Sequence, residues 1–263
     1  MSVEAFYGVA FAVLGLVFGS FMNVLIYRTP RGISIVVPPS FCPKCKAPIR
    51  WYSNIPVISF FVQRGRCNEC GGKISWVYPV AELLTALLFF LIYLRYGVTL
   101  PAVKYCFMTF MALTAGFIDL TTKVDKDNFE CGIIPEGFTI GLIFCGLLWA
   151  LFTPPGFYAA LAGGGAGMFM LLIPAYFYKL FTKREGMGGA DALLMAGVGT
   201  FLGDASILFV VTLSAILGVL AGIAVIAATK NRRYMLPFGP MIAGASVIYL
   251  FAGEPVMALF GYK

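Results

Sequence analysis

Two aspartates stand at the ends of apolar runs, and they are the side chains in this sequence best placed to do chemistry. Asp119 ends the run from Phe107 to Ile118, and Asp191 follows the small residues 188–190 at the start of another apolar run. An ionisable group in such a place is expensive, and two carboxylates brought face to face can activate a water molecule. Each also has a plainer interpretation: Asp191 as a helix N-cap, and Asp119 as the point where a helix leaves the membrane.

Four cysteines form two Cys-x-x-Cys pairs in one loop, and this spacing is typical of a zinc ribbon. The pairs are Cys42 with Cys45 and Cys67 with Cys70. Four thiolates fill the coordination of the ion and leave no open position, so the zinc is predicted to be structural. Two disulfides would not persist in a reducing cytoplasm, and a redox dithiol would need one pair rather than two. The other cysteines are predicted to be ordinary apolar residues: Cys106, Cys131 and Cys145.

The composition predicts an all-α polytopic membrane protein. Of 263 residues, 60% are hydrophobic and 12% are charged, with a mean hydropathy of +0.90. A soluble core of this length cannot hide so much apolar surface. About eight transmembrane helices are predicted, near residues 5–27, 79–95, 100–119, 133–152, 157–180, 191–203, 205–228 and 236–259. The first of these segments is too long for a signal-peptide core and is expected to stay as a span. The sixth is short for a full span.

The distribution of Lys and Arg predicts the orientation. With the loop 28–78 in the cytoplasm, sixteen of the 19 Lys and Arg residues lie inside, and only Arg95, Lys104 and Lys263 lie outside. Both termini then face outward, and Asp119 and Asp191 both reach the cytoplasmic face. This topology accounts for the net charge of +7 without a nucleic-acid partner. The absence of histidine removes the usual proton shuttle from any mechanism.

The organisation predicted from these features has three parts: a first transmembrane helix over 1–28, a cytoplasmic zinc-knuckle loop over 29–78, and a multi-span membrane domain over 79–263. Asn23 is expected to pack in the core or to form an interhelical hydrogen bond. Glu82, just inside the second span, is either an interfacial charge paired with a loop Arg or part of a polar site, and the sequence leaves both open. The glycine-rich run 162–167 predicts close helix packing rather than a phosphate cradle, because no Lys-Ser or Lys-Thr follows it.

These motifs occur in one order across nearly the whole chain, and together they resemble the bacterial type IV prepilin peptidases. The motifs are Gly19 to Arg28, the two cysteine pairs, Tyr78-Pro79 with Glu82, Asp119, Ile134-Pro135, the Gly-x-Gly-Asp-like turn at 188–191 and Leu236 to Pro240. The resemblance implies an aspartic endopeptidase of the bacterial inner membrane. Its members remove the short basic leader of type IV prepilins and type II secretion pseudopilins at the cytoplasmic face. They then methylate the new amino terminus with S-adenosylmethionine.

Carried over residue by residue, the resemblance assigns Asp119 and Asp191 as the catalytic pair. It assigns the zinc to Cys42, Cys45, Cys67 and Cys70. No residues for S-adenosylmethionine can be named, although the loop 28–78 and the adjacent turns are suspected. The chain departs from the family pattern at Ala190, where glycine is usual, at Leu193, where lysine is frequent, and in a longer stretch between Asp119 and Pro135.

The two aspartates are expected to share one proton, since like charges a few ångströms apart cannot both stay ionised cheaply. The prepilin helix would dock laterally within the lipid. Its basic leader would meet local acids, for which the candidates are Glu69, Asp125, Asp127, Glu130 and Glu185. Two alternatives stay open: a peptidase without methyltransferase activity, and a transporter that uses the aspartates for ion coupling.

Overall fold

The computed structural model describes residues 2–121, 134–183, 188–230 and 236–259. Cys131 and four of the candidate leader-binding acids, Asp125, Asp127, Glu130 and Glu185, lie outside these ranges. The described residues form helices and short turns, with two isolated β-bridges but no β-strand. The helices are α1 (Val3–Arg28), α2 (Ile58–Val62), α3 (Val77–Tyr96), α4 (Leu100–Thr121), α5 (Glu136–Trp149), α6 (Phe157–Thr182), α7 (Gly189–Leu202), α8 (Asp204–Thr229) and α9 (Gly239–Leu259).

The expected multi-pass, all-α membrane architecture is confirmed. Within the described ranges, α1, α3, α4, α6 and α8 are long and apolar enough to cross a membrane. Three shorter apolar helices, α5, α7 and the first part of α9, accompany them, so the count of eight spans is not confirmed. The 14 residues of α7 extend over about 21 Å, which is less than the ~30 Å of a bilayer core. The expectation of a short sixth apolar segment is therefore met.

The chain divides into two compact units, Met1–Cys106 and Phe107–Lys263. The first unit contains α1, α3 and the four-cysteine loop, and the second contains both aspartates of interest. The predicted division at residues 28 and 78 follows hydropathy rather than packing, and it stays a prediction.

In the first unit, α1 packs against α3 through two glycines of α1. A methyl group added at Gly15 would lie 2.5 Å from Cα of Ala86, and one added at Gly19 would lie 2.6 Å from Cα of Glu82. Only a residue without a side chain permits the two backbones to approach so closely. This contact fixes the cytoplasm-facing end predicted for α1 beside the start of α3, where several polar side chains meet.

In the second unit, α7 packs against both α5 and α6, and α8 packs against α6 and α9. The crossing of α6 and α7 is a backbone contact: a methyl group at Gly163 would lie 2.5 Å from the carbonyl oxygen of Gly199. Gly164 and Gly167 of the same run are also buried. The glycine-rich run at 162–167 is thus a helix-packing surface, as predicted, and it holds the helix that carries Asp191.

Candidate active site and metal site

Asp119 lies in the last turn of α4 and is 5% exposed. Its Oδ2 accepts a hydrogen bond of 2.8 Å from the backbone amide of Gly239, the first residue of α9. Such an amide has no partner within its own helix, and Pro240 follows at a position where a missing amide does no harm. The carboxylate of one helix therefore caps the amino terminus of another.

Asp191 lies in the first turn of α7 and is half-buried. The helix begins at Gly189, and its N-cap is Gly188. The alternative interpretation of Asp191 as the N-cap residue is therefore wrong. A negative charge at this position is stabilised by the positive end of the helix dipole. Asp119 lies close enough for its charge to act on the Asp191 carboxylate. The structure thus brings together, in one unit, the two aspartates that the sequence analysis singled out.

The four cysteines converge as the spacing predicts. The Sγ atoms of Cys42, Cys45, Cys67 and Cys70 all lie within 4.8 Å of one another. Tetrahedral coordination with zinc–sulfur bonds of ~2.3 Å would separate the sulfurs by about 3.7 Å. The cluster can therefore hold a metal ion after a small contraction, and its four-sulfur donor set is the one that suits zinc.

Both cysteine pairs have the same local fold. The carbonyl of Cys42 accepts a hydrogen bond from the amide of Lys46, and that of Cys67 accepts one from Gly71, each 2.9 Å long. Lys46 and Gly71 both adopt a left-handed conformation, with φ of 62° and 66°. The turn that closes each pair thus aims two sulfurs toward a common point.

The backbone favours the thiolate form of Cys42. Hydrogen bonding by the backbone of Cys45, aided by that of Lys44, lowers the pKa of the Cys42 thiol to about 7. A thiolate rather than a thiol is the form that binds a metal ion.

Glu82 occupies a site that the sequence left undecided. It is 7% exposed in α3, and its Oε2 accepts a hydrogen bond of 2.7 Å from the amide of Val57. Its Oε1 lies 3.5 Å from Nδ2 of Asn23, which also donates to the carbonyl of Tyr78 at 3.1 Å. The interhelical hydrogen bond expected for Asn23 is present. Glu82 has no Lys or Arg partner among the described residues, so the polar-site interpretation is favoured.

Sequence reasoning missed Val57 altogether. Its φ of 61° and ψ of −51° are unusual for a β-branched side chain, and nothing in the pattern Asn54-Ile-Pro-Val57 marks such a turn. Glu82, Asn23 and Tyr78 together line a cavity of about 500 Å³ within the first unit.

The described fold and sites define a class: multi-pass helical membrane proteins with an aspartate pair and a four-cysteine cluster that can hold a metal ion. Comparison with known families gives two matches. The bacterial peptidase A24 N-terminal domain matches residues 13–96, which include the four cysteines, and the type IV leader peptidase family matches residues 105–223, which include both aspartates.

Relatives match over most of their length. The chain is 34% identical to a prepilin leader peptidase/N-methyltransferase of Neisseria gonorrhoeae, over 93% of this chain and 90% of the relative. It is 32% identical to one of Bacillus subtilis, over 94% and 95%, and 37% identical to one of Myxococcus xanthus, over 87% and 67%. No solved structure matches it significantly. The chain belongs to the type IV leader peptidase family, as its motifs predicted, and it is a membrane peptidase.

Proposed function

We propose that this enzyme removes the basic leader of type IV prepilins or pseudopilins at the cytoplasmic face of the inner membrane. It then methylates the new amino terminus with S-adenosylmethionine. The relatives named above carry both activities in their names, which supports the pair of reactions. The main support for the peptidase activity is the proximity of Asp119 and Asp191. Asp119 is buried and Asp191 is half-buried, and the charge of the first acts on the second.

In the proposed mechanism, the two aspartates share one proton. The ionised aspartate takes a proton from water as the water oxygen attacks the scissile carbonyl. The protonated aspartate donates a hydrogen bond to the carbonyl oxygen. When the carbon–nitrogen bond breaks, the leaving amine takes up a proton from the pair, and the new carboxyl and amino termini separate. The amide of Gly239 holds the Asp119 carboxylate in place throughout.

The proposed orientation follows the positive-inside bias of the sequence, which puts both aspartates and the cysteine loop on the cytoplasmic side. We assign residues 29–78 to a zinc module and 79–263 to the peptidase domain, with 1–28 as the first membrane helix. Zinc held by four thiolates would serve the fold of the module, since no ligand position remains for substrate. S-adenosylmethionine supplies a methyl group bound to a positively charged sulfur.

Leader cleavage by the purified protein tests the aspartate pair. Asp119→Asn and Asp191→Asn should each slow cleavage of a prepilin at least about a hundredfold, because each removes a proton-transfer group. Mass spectrometry of the prepilin follows the loss of the leader and, after S-adenosylmethionine is added, the gain of one methyl group. Asp204→Asn is the matched control, since Asp204 is also in a first helical turn of the second unit but is exposed. Normal cleavage by either folded Asp119 or Asp191 variant would exclude that residue from catalysis.

A further inference from the structure

A buried carboxylate in the first unit has no role in the proposed peptide hydrolysis. Glu82 lies in the second turn of α3, and both of its oxygens face N–H donors, which is the pattern of an ionised carboxylate. Those donors, the Val57 amide and the Asn23 side chain, are neutral. A buried anion without a cation is unfavourable, and in a membrane helix it indicates a functional site. A cation bound beside Glu82 would supply the charge that these neutral donors lack.

The cavity beside Glu82 is of the right size and lining to receive a small organic cation. Its volume of about 500 Å³ is within the range of small-molecule sites. Five aromatic rings line it, and faces of such rings attract cations that have no hydrogen to donate. The rings belong to Tyr27, Phe41, Tyr52, Phe60 and Tyr78.

Positive side chains also line the cavity. Lys44, Arg50 and Lys73 belong to the cysteine loop, and Arg28 ends α1, where its guanidinium donates to three loop carbonyls. Two carboxylates line the same cavity, Glu82 of α3 and Glu69 of the loop. The cavity thus offers both carboxylates and cations. This arrangement suits a ligand that carries both a positive centre and a carboxylate.

The backbone at Val57 gives a second observation. The amide of Ile58 donates to the carbonyl of Pro56 at 2.6 Å, and Val57 between them has the positive φ of a classic γ-turn. This turn is rare and strained, and strained backbone clusters at ligand sites. The Val57 amide donates to Glu82, so the strained turn and the buried carboxylate form one structure.

We propose that this cavity binds S-adenosylmethionine, with Glu82 facing the positively charged sulfur. The inference rests on the methyltransferase half of the proposed function, and it names the site for that half. A sulfonium has no N–H or O–H, so only a charge or a ring face can recognise it. The cavity offers both, and its cationic side chains can hold the carboxylate of the ligand.

Binding of S-adenosylmethionine and of S-adenosylhomocysteine, which lacks the positive charge on sulfur, tests the site. Both dissociation constants are measured by titration calorimetry on the purified full-length protein in detergent. Glu82→Gln should weaken binding of S-adenosylmethionine at least about tenfold, because a charge-assisted contact is lost. Binding of S-adenosylhomocysteine should change by less than about threefold.

The substitution is conservative, because a glutamine oxygen can still accept the Val57 hydrogen bond. Glu4→Gln, an exposed change in the first turn of α1, is the control and should leave both constants unaltered. An equal loss of affinity for both ligands would mean that Glu82 is only structural. An unchanged affinity for S-adenosylmethionine would likewise overturn the assignment.

Hydrogen exchange on the unaltered protein gives a measurement that needs no variant. S-adenosylmethionine should slow amide exchange in residues 40–82 and leave residues 157–229 unaffected, whereas protection confined to the second range would refute the site.

The site proposed here and the proposed function would be contradicted by different results. Protein that methylates prepilin and tolerates Glu82→Gln contradicts only this inference. Protein that cleaves prepilin but neither binds S-adenosylmethionine nor methylates contradicts the methyltransferase half of the function, and this inference with it.

Discussion

Asp119 owes its position to a residue that has no side chain. The amide of Gly239 holds its Oδ2 at 2.8 Å, and a methyl group added at Gly239 would lie 2.9 Å from that same oxygen. It would also lie 3.2 Å from the Ile134 side chain, so the methyl group would be crowded from two sides. The hydrogen bond at its observed length therefore favours glycine at 239.

We expect Gly239→Ala to slow leader cleavage by about 10- to 100-fold, because displacing a catalytic group by a fraction of an ångström disturbs its alignment with water and substrate. Steady-state cleavage of a prepilin measures the effect. Gly137→Ala is the matched control: Gly137 is also in a first helical turn of the second unit, but no atom lies within 4 Å of an added methyl group. Equal rates for the two variants would show that Asp119 does not need the fixed position.

Individual residues were predictable where a charge interrupts an apolar run. Asp119 and Asp191 stand out for that reason, and the structure brings them together. The partners that hold them were not predictable, because the Gly239 amide is a backbone group far away in sequence. Glu82 stayed undecided for the same reason, since its hydrogen-bond donor is the amide of Val57 in an unusual conformation.

At the scale of helices, the contact between α6 and α7 positions the Asp191 end of α7. A methyl group at Gly163 meets backbone atoms of Gly199 and Gly203 at 2.5 and 2.6 Å, and backbone cannot rotate away as a side chain can. Gly165 lies on the same helix, but a methyl group there meets no atom within 4 Å.

Gly163→Ala is expected to destabilise the protein by about 1–3 kcal/mol, the usual result of overpacking. Gly165→Ala should be neutral or stabilising by up to about 1 kcal/mol, since alanine is the better helix former. Thermal unfolding of both variants in the same detergent measures the difference. A similar shift of the melting temperature for both would indicate that the α6–α7 contact is loose.

Long helices were predictable because membrane spans are continuous apolar runs, and each of the eight predicted runs overlaps a helix in the described parts of the chain. The five-residue helix α2 was not predicted, because so short a segment carries no periodicity. Two of the eight runs, those of α5 and α7, fold into helices of 14 residues, which are too short to be assigned as spans by length, and apolarity alone did not reveal this.

At the scale of the whole molecule, the four-cysteine cluster and the two aspartates belong to different compact units. The four cysteines belong to Met1–Cys106, and Asp119 and Asp191 belong to Phe107–Lys263. The boundaries at 28 and 78 stay a prediction of another kind, because hydropathy identifies membrane segments but not which helices pack together. The packing of α1 on α3 depends on Gly15 and Gly19, whose partners a single sequence does not disclose.

Removal of the metal should therefore affect the two reactions unequally. We expect a zinc chelator to unfold the cysteine module and to abolish methyl transfer, while leader cleavage falls less because both aspartates lie in the other unit. Parallel assays of cleavage and methylation after chelation, with zinc content measured on the same samples, test this. Cys42→Ser should reproduce the effect, and Cys145→Ser, outside the cluster, should not. An equal loss of both reactions would contradict the separation.

The strained turn at Val57 has a consequence for the thermodynamics of the cavity. A residue held in such a conformation costs about 1–3 kcal/mol, and here it is held by the hydrogen bond to Glu82 before any ligand arrives. The loss of conformational entropy that accompanies an ordered loop is thus incurred when the chain folds rather than when a molecule binds. The Glu82 carboxylate, which lines the cavity, is thus held in place beforehand, and a small ligand can bind beside it without having to order it.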